Sequence, residues 1–121
     1  MKNIKKTTVR NRLDKLWSLI IRSIGYCEVC TKTNREGQLH PHHIIGRSSL
    51  NTRWDLKNGI CLCAKCHTLG KPSAHNDPIW FIEWLKTNQL ERYKYLEKKR
   101  KEKPFPYSIE DYLDIEKELK K

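Results

Sequence analysis

The sequence predicts an α+β fold: a small centre rich in cysteine and histidine, with two short β segments, flanked by α-helices. Three observations predict it. All five Cys lie between Cys27 and Cys66, and all five His lie between His40 and His75. An apolar stripe at helical spacing precedes that window, and an Asp-Pro helix start follows it. The 121 residues are read as a single domain, 1–121. Its parts are an N-terminal helix at 9–24, a knuckle-bearing core at 25–76 and C-terminal helices at 77–121. Only 37% of residues are hydrophobic and 32% are charged, so the apolar core is small. Chains with thin cores often recruit a metal or disulfides to hold the fold.

The elements follow in order. Residues 1–8 read as a basic, disordered lead. Val9, Leu13, Leu16, Trp17, Ile20, Ile21 and Ile24 trace one face of a helix, with Thr8 as its cap and Gly25 at its end. Two β segments are expected at 38–45 and 57–62, joined by a loop at 46–55. A short helix follows Cys63 and ends before Gly70. Asp77-Pro78 starts the next helix, with Phe81, Trp84 and Leu85 as its stripe. Asn88 with Glu91 resembles a capping box, which puts a break near 87–88. A basic helix then runs towards Lys103, and Pro104 and Pro106 end it. Ser108 and Asp111 cap a last helix, which is acidic, with Ile109, Tyr112, Leu113, Glu116 and Leu119 on one side.

The charge narrows the function. There is no apolar run of about 18 residues, which excludes a membrane-spanning helix. The start of the chain has no apolar signal core, so a cytoplasmic location is expected. Formal net charge is +11. Residues 1–60 carry twelve basic and four acidic groups, a net of +8; residues 61–121 carry thirteen and ten, a net of +3. Such an excess implies a polyanionic partner, nucleic acid before an anionic membrane.

Cys27-x-x-Cys30 and Cys63-x-x-Cys66 have identical spacing. Two such turns complete a tetrahedral thiolate site, and thiolates favour Zn²⁺ over hard cations. Disulfides or buried free thiols are the alternative; an odd cysteine count and a cytosolic chain disfavour the disulfides. Cys61 is left over and reads as a small buried apolar residue. Trp54 reads as packing beneath the β segments.

Between the two cysteine pairs stand Leu39-His40-Pro41-His42-His43-Ile44-Ile45 and then Trp54-Asp55-Leu56-Lys57-Asn58-Gly59-Ile60, closing with Cys66-His67. Asn58 follows His43 by 15 residues and His67 follows Asn58 by nine. This order resembles the HNH endonuclease family, whose site is a ββα-metal (His-Me finger) hairpin and helix. The offsets are similar to those of its colicin DNases. The bracketing cysteines resemble the subset with a zinc knuckle, including small phage-encoded members.

The resemblance implies a metal-dependent DNA endonuclease that hydrolyses phosphodiester bonds. It makes His43 the general base and has Asn58 fix the hairpin loop. His42 and His67 then hold the catalytic divalent ion, Mg²⁺, Mn²⁺, Ni²⁺ or Zn²⁺, while Cys27, Cys30, Cys63 and Cys66 hold a structural Zn²⁺. Some members add a metal ligand four residues after the helix histidine. Lys71 stands there, so His75 is either the third ligand or a phosphate contact, or an ordinary loop histidine. His40 reads as a supporting or surface residue. Arg47 and Arg53 are candidates for phosphate binding. Because neighbouring strand residues face opposite ways, the backbone at 42–43 is expected to bend, or one His to reach around.

The implied partner is double-stranded DNA, nicked or cut with weak sequence preference by a monomer or homodimer. Phage genome processing with packaging proteins, or homing, in a bacterial host would be the setting. The alternative is a non-catalytic zinc-finger protein that binds nucleic acid. It explains the cysteines and the charge but not the joint spacing of the His pair, Asn58 and His67.

Overall fold

The computed structural model describes residues 3–33, 38–103 and 106–121, and its architecture is α+β. Helix α1 spans Lys6–Arg22. It begins earlier than expected, because Thr8 and Val9 already bond back to the Lys5 carbonyl. Thr8 therefore sits inside the first turn, and Lys5 occupies the cap position with no side-chain cap bond. Lys6 to Thr8 are helical where a disordered lead was expected; Met1 and Lys2 lie outside the described residues. The helix stops at Arg22, and Gly25 follows with φ +86°, a left-handed conformation that glycine adopts at no steric cost. Val9, Leu13, Trp17 and Ile21, each four residues from the next, are at most 2% exposed. That seam faces the centre of the molecule.

The centre is a two-stranded antiparallel hairpin, β1 (Leu39–His43) and β2 (Gly59–Cys63). Leu39 pairs with Cys63, His42 with Ile60 and His43 with Gly59. Both strands are shorter than expected. The connection is not all loop: a one-turn helix α2 (Leu50–Arg53) and a 3₁₀ turn (Leu56–Asn58) lie within it. All of β2 is buried, and α1 crosses it closely. A Cβ on Gly59 would lie 2.3 Å from Ile21 Cδ1 and 2.6 Å from Trp17 Cζ2. Glycine at 59 is what lets the helix approach. Trp54 is 4% exposed and packs inside, as expected.

After β2 the chain makes a π-helical turn, Lys65–Leu69. Helix α3 (Pro78–Asn88) starts where Asp77 accepts from the Trp80 N–H at 3.0 Å. The break before α4 (Leu90–Lys101) falls at Gln89, next to the expected place but for a different reason. Asn88 caps nothing; its Nδ2 donates back to the Trp84 carbonyl. Pro104 lies outside the described residues. Helix α5 (Ile109–Leu119) carries the expected capping box between Ser108 and Asp111. It packs along α1, where Glu116 takes both Arg12 Nε and Nη2, at 2.9 and 3.0 Å. Tyr112 meets Trp54 edge-on, centroids 5.4 Å apart. Among the described residues no helix is long and apolar enough to cross a membrane.

Candidate metal centres and active site

Two knuckle turns bring four cysteines together. Cys27 N–H donates to the Lys32 carbonyl and Thr31 N–H to the Cys27 carbonyl, closing the first turn. Cys66 N–H points at Cys63 Sγ (3.5 Å) in the second. The four Sγ atoms lie within 4.8 Å of one another, and Cys30 and Cys63 are 3.5 Å apart. That exceeds a disulfide bond by far and approaches the edge of about 3.8 Å that tetrahedral Zn–S bonds of about 2.3 Å require. Although burial opposes it, the Cys66 N–H and the neighbouring thiols hold Cys63 down to about 7, while burial pushes Cys66 and Cys30 up. A crowded set of this kind ionises fully only around a cation, and its donors point to a structural zinc. Cys61 stands apart, buried, its N–H donating to Glu28 Oε2 at 2.8 Å. Glu28 also pairs with Arg92, which donates to the Gly59 carbonyl. The first cysteine turn is thereby tied to β2 and α4.

Three histidines converge on the other side of the π-helical turn. His42 comes from β1, His67 from the turn itself and His75 from the loop before α3. One nitrogen of each lies within 4.8 Å of the others, and His67 Nε2 and His75 Nε2 are 3.1 Å apart. Metal–nitrogen bonds of about 2.1 Å put neighbouring ligand atoms about 3 Å apart, so the set fits a divalent ion. The loop carrying His75 is laced back onto the turn. Ala74 N–H donates to the Cys66 carbonyl, His75 N–H to the His67 carbonyl, and Asn76 Nδ2 to the Thr68 carbonyl. That lacing carries His75 to His67 across the Lys71–Pro72 bend. Burial, reinforced by His67, His75 and His43, pushes His42 down to about 3. Burial with His75 and His40 pushes His67 to about 4. Both are neutral at pH 7, with lone pairs free for a metal. His40 Nδ1 lies 2.9 Å from His67 Nδ1, so it supports the ring nitrogen that faces away from the cluster.

His43 faces the opposite way. Of the two expected alternatives, a bend at 42–43 or one His reaching around, the bend is not found; β1 stays paired through His43, and ordinary pleating sends the two side chains to opposite faces. The bend comes after the strand, at Ile44 and Ile45. His43 Nε2 lies 2.9 Å from the Arg53 carbonyl, which can only accept. Nε2 therefore carries the proton, and Nδ1 keeps its lone pair. Burial is the chief cause that lowers the His43 pKa, which keeps the ring neutral at pH 7. Its face lies flat on Trp17, centroids 3.8 Å apart and planes 10° apart.

Asn58 is fully buried and holds the bend. Its Oδ1 accepts from Ile45 N–H at 2.7 Å, and its Nδ2 donates to the Ile45 and Thr52 carbonyls. Arg53 is largely covered and bidentate on Asp14, at 2.7 and 3.1 Å. Arg47 reaches the same carboxylate at 3.1 Å but is 61% exposed.

The family model of the HNH endonucleases matches residues 27–71. Over these residues the chain is similar to the HNH endonucleases. The HNH segment contains the four cysteines, the His pair, Asn58 and His67; α1 and His75 lie outside it. Such a match implies nuclease activity on DNA. Among curated proteins and solved structures nothing matches the chain. The sequence placed Trp17 only in the apolar stripe of α1, not against His43, and gave Asp14 no role; both lie outside the HNH segment. The available signal was Asp14 itself, the lone carboxylate in an otherwise basic helix.

Proposed function

We propose that this HNH protein is a metal-dependent endonuclease that hydrolyses phosphodiester bonds of double-stranded DNA. One observation carries the reading: a neutral histidine with a single free nitrogen, His43, sits next in sequence to a three-histidine metal cluster. His42, His67 and His75 would hold the divalent ion. When bound, that ion supplies positive charge to the scissile phosphate and its leaving oxygen. Because His42 and His43 leave opposite faces at the end of β1, a phosphate seated across that end would meet the ion on one side and His43 on the other. There His43 Nδ1 takes the proton from the attacking water while its Nε2–H stays on the Arg53 carbonyl. Asn58 keeps the chain after β1 from relaxing, which holds both histidines at the strand end. Arg47, exposed beside the bend, contacts DNA phosphate; Arg53 lends its carbonyl to His43 and, at the edge of its Asp14 pair, local positive charge.

The net charge of +11 supplies affinity for the DNA backbone without reading bases, so cutting shows weak sequence preference. Three imidazoles favour Ni²⁺ or Zn²⁺ in affinity, and Mg²⁺ or Mn²⁺ serve with more water in the coordination shell. One such site cuts one strand per encounter, so a monomer nicks and a duplex break takes a homodimer or two visits. Phage genome processing and packaging, or homing, in the cytoplasm of a bacterial host is the biological setting we propose. It rests on resemblance to small phage-encoded members.

The test is cleavage of supercoiled plasmid in EDTA, Mg²⁺, Mn²⁺, Ni²⁺ or Zn²⁺, beside a His43→Ala variant. Metal-dependent nicking or linearisation that the variant lacks supports the reading. Retarded but uncut DNA with every metal, for both proteins, would replace it with a zinc-finger binding protein.

A further inference from the structure

We propose that α1 is the orienting wall of the active site, with Asp14 and Trp17 as positioning residues for His43. The inference rests on the reading of His43 as general base. It adds residues that lie outside the HNH segment.

An imidazole ring is oriented when its plane and one in-plane direction are both set. The in-plane direction comes from the Arg53 carbonyl. That carbonyl belongs to the peptide joining Arg53 to Trp54, and both flanking side chains are bonded to the single Asp14 carboxylate. Arg53 Nη2 donates to Oδ2 at 2.7 Å, Arg53 Nε to Oδ1 at 3.1 Å, and Trp54 Nε1 to Oδ1 at 2.8 Å. The peptide is pinned on both sides by one residue of α1.

The plane comes from Trp17, three positions further on and so on the same helix face. Its indole lies parallel to the His43 ring at 3.8 Å. The indole cannot turn: it is 1% exposed, and its Nε1 donates to the Asp55 carbonyl at 3.0 Å. Asp55 is itself held through Tyr95 Oη, which donates to its carboxylate at 2.5 Å. A carboxylate and an indole one turn apart thus define the direction in which Nδ1 points. Misplacement of a reacting group by about 1 Å can cost about 100-fold in rate.

Asp14→Asn removes the ion pair with little change of shape. Trp17→Leu removes the flat ring, and Trp17→Phe restores a flat ring without the Nε1 donor. Single-turnover nicking, DNA Kd, thermal melting and imidazole nitrogen NMR are measured for each, with His43→Ala alongside. Asp14→Asn and Trp17→Leu are expected to cut about 10–100-fold more slowly, and Trp17→Phe to recover most of the rate. DNA Kd is expected to stay within about twofold for Trp17→Leu and to be equal or tighter for Asp14→Asn, which releases Arg47. In NMR, wild-type His43 is a single Nε2–H tautomer, and Asp14→Asn turns it into a mixture. Full-rate cutting by folded Asp14→Asn and Trp17→Leu, beside an inactive His43→Ala, would overturn the inference and leave the general base standing. An active His43→Ala would remove the base itself. If Trp17→Leu does not fold, Asp14→Asn decides. If the wild type cuts no DNA under any condition, the tautomer decides, and an unchanged Nε2–H tautomer in Asp14→Asn overturns the inference.

Discussion

Two residues in this protein carry much of their meaning in their hydrogen bonds. The fully buried Asn58 side chain makes three, all to the backbone of the bend after β1 and of α2. Each is worth about 1 kcal/mol and each orphaned group costs more, so Asn58→Ala is expected to lose about 2–4 kcal/mol in urea unfolding. Asn58→Asp fares no better, since an acceptor would then face the Ile45 and Thr52 carbonyls. His67, with a pKa of about 4 in the fold against about 6.5 unfolded, gives a pH signature. Between those values the unfolded chain binds the proton and the folded chain does not. Stability is therefore full above about pH 6.5 and is lost as pH falls towards 4. In pH-dependent thermal melting without added divalent metal, His67→Asn is expected to lose less across this window than the wild type. Equal slopes would show that the ring is not held neutral. The motif made Asn58 and His67 visible in the sequence, because their spacing from His43 is local. Asp14 was not, because its partners Arg53 and Trp54 lie about 40 residues away and meet it only through the packing of α1.

At the scale of elements, helix ends and docking faces decide the architecture. The α1 stripe was legible because a helix buried on one side repeats its apolar residues every three or four positions. Its start was misjudged because Thr8 resembles a cap, whereas the backbone bonds to Lys5 begin the helix with no side chain. The break between α3 and α4 was placed well and explained wrongly, since Asn88 bonds inside its own helix. The Ser108–Asp111 box was both expected and found. Ser108→Ala is expected to cost about 1 kcal/mol. It should lower the melting temperature by a few degrees with little effect on cleavage, because α5 touches α1 and Trp54 rather than the histidines. A large loss of activity at full stability would place α5 in the active site instead.

Across the molecule, the four cysteines join positions 33 to 39 residues apart, and the hairpin with its histidines hangs between them. A thin core makes that staple a main source of stability. Chelating the zinc should therefore abolish a cooperative melt, lose cleavage and be reversed by added Zn²⁺. An unchanged melting curve in chelator would rule out the structural zinc. The α+β class, the two cysteine turns, the His pair with Asn58 and His67, and the basic character are all legible in the amino-acid order. These are written in short-range spacing and in composition, which need no fold to be read. Folding is what brings His75 to His42 and His67, through a loop bonded back onto the turn. It alone turned His43 away from its neighbour and laid it on Trp17. It alone committed Arg53 to Asp14. Each is a contact between distant segments, set by which faces pack together, and no local pattern of residues encodes that.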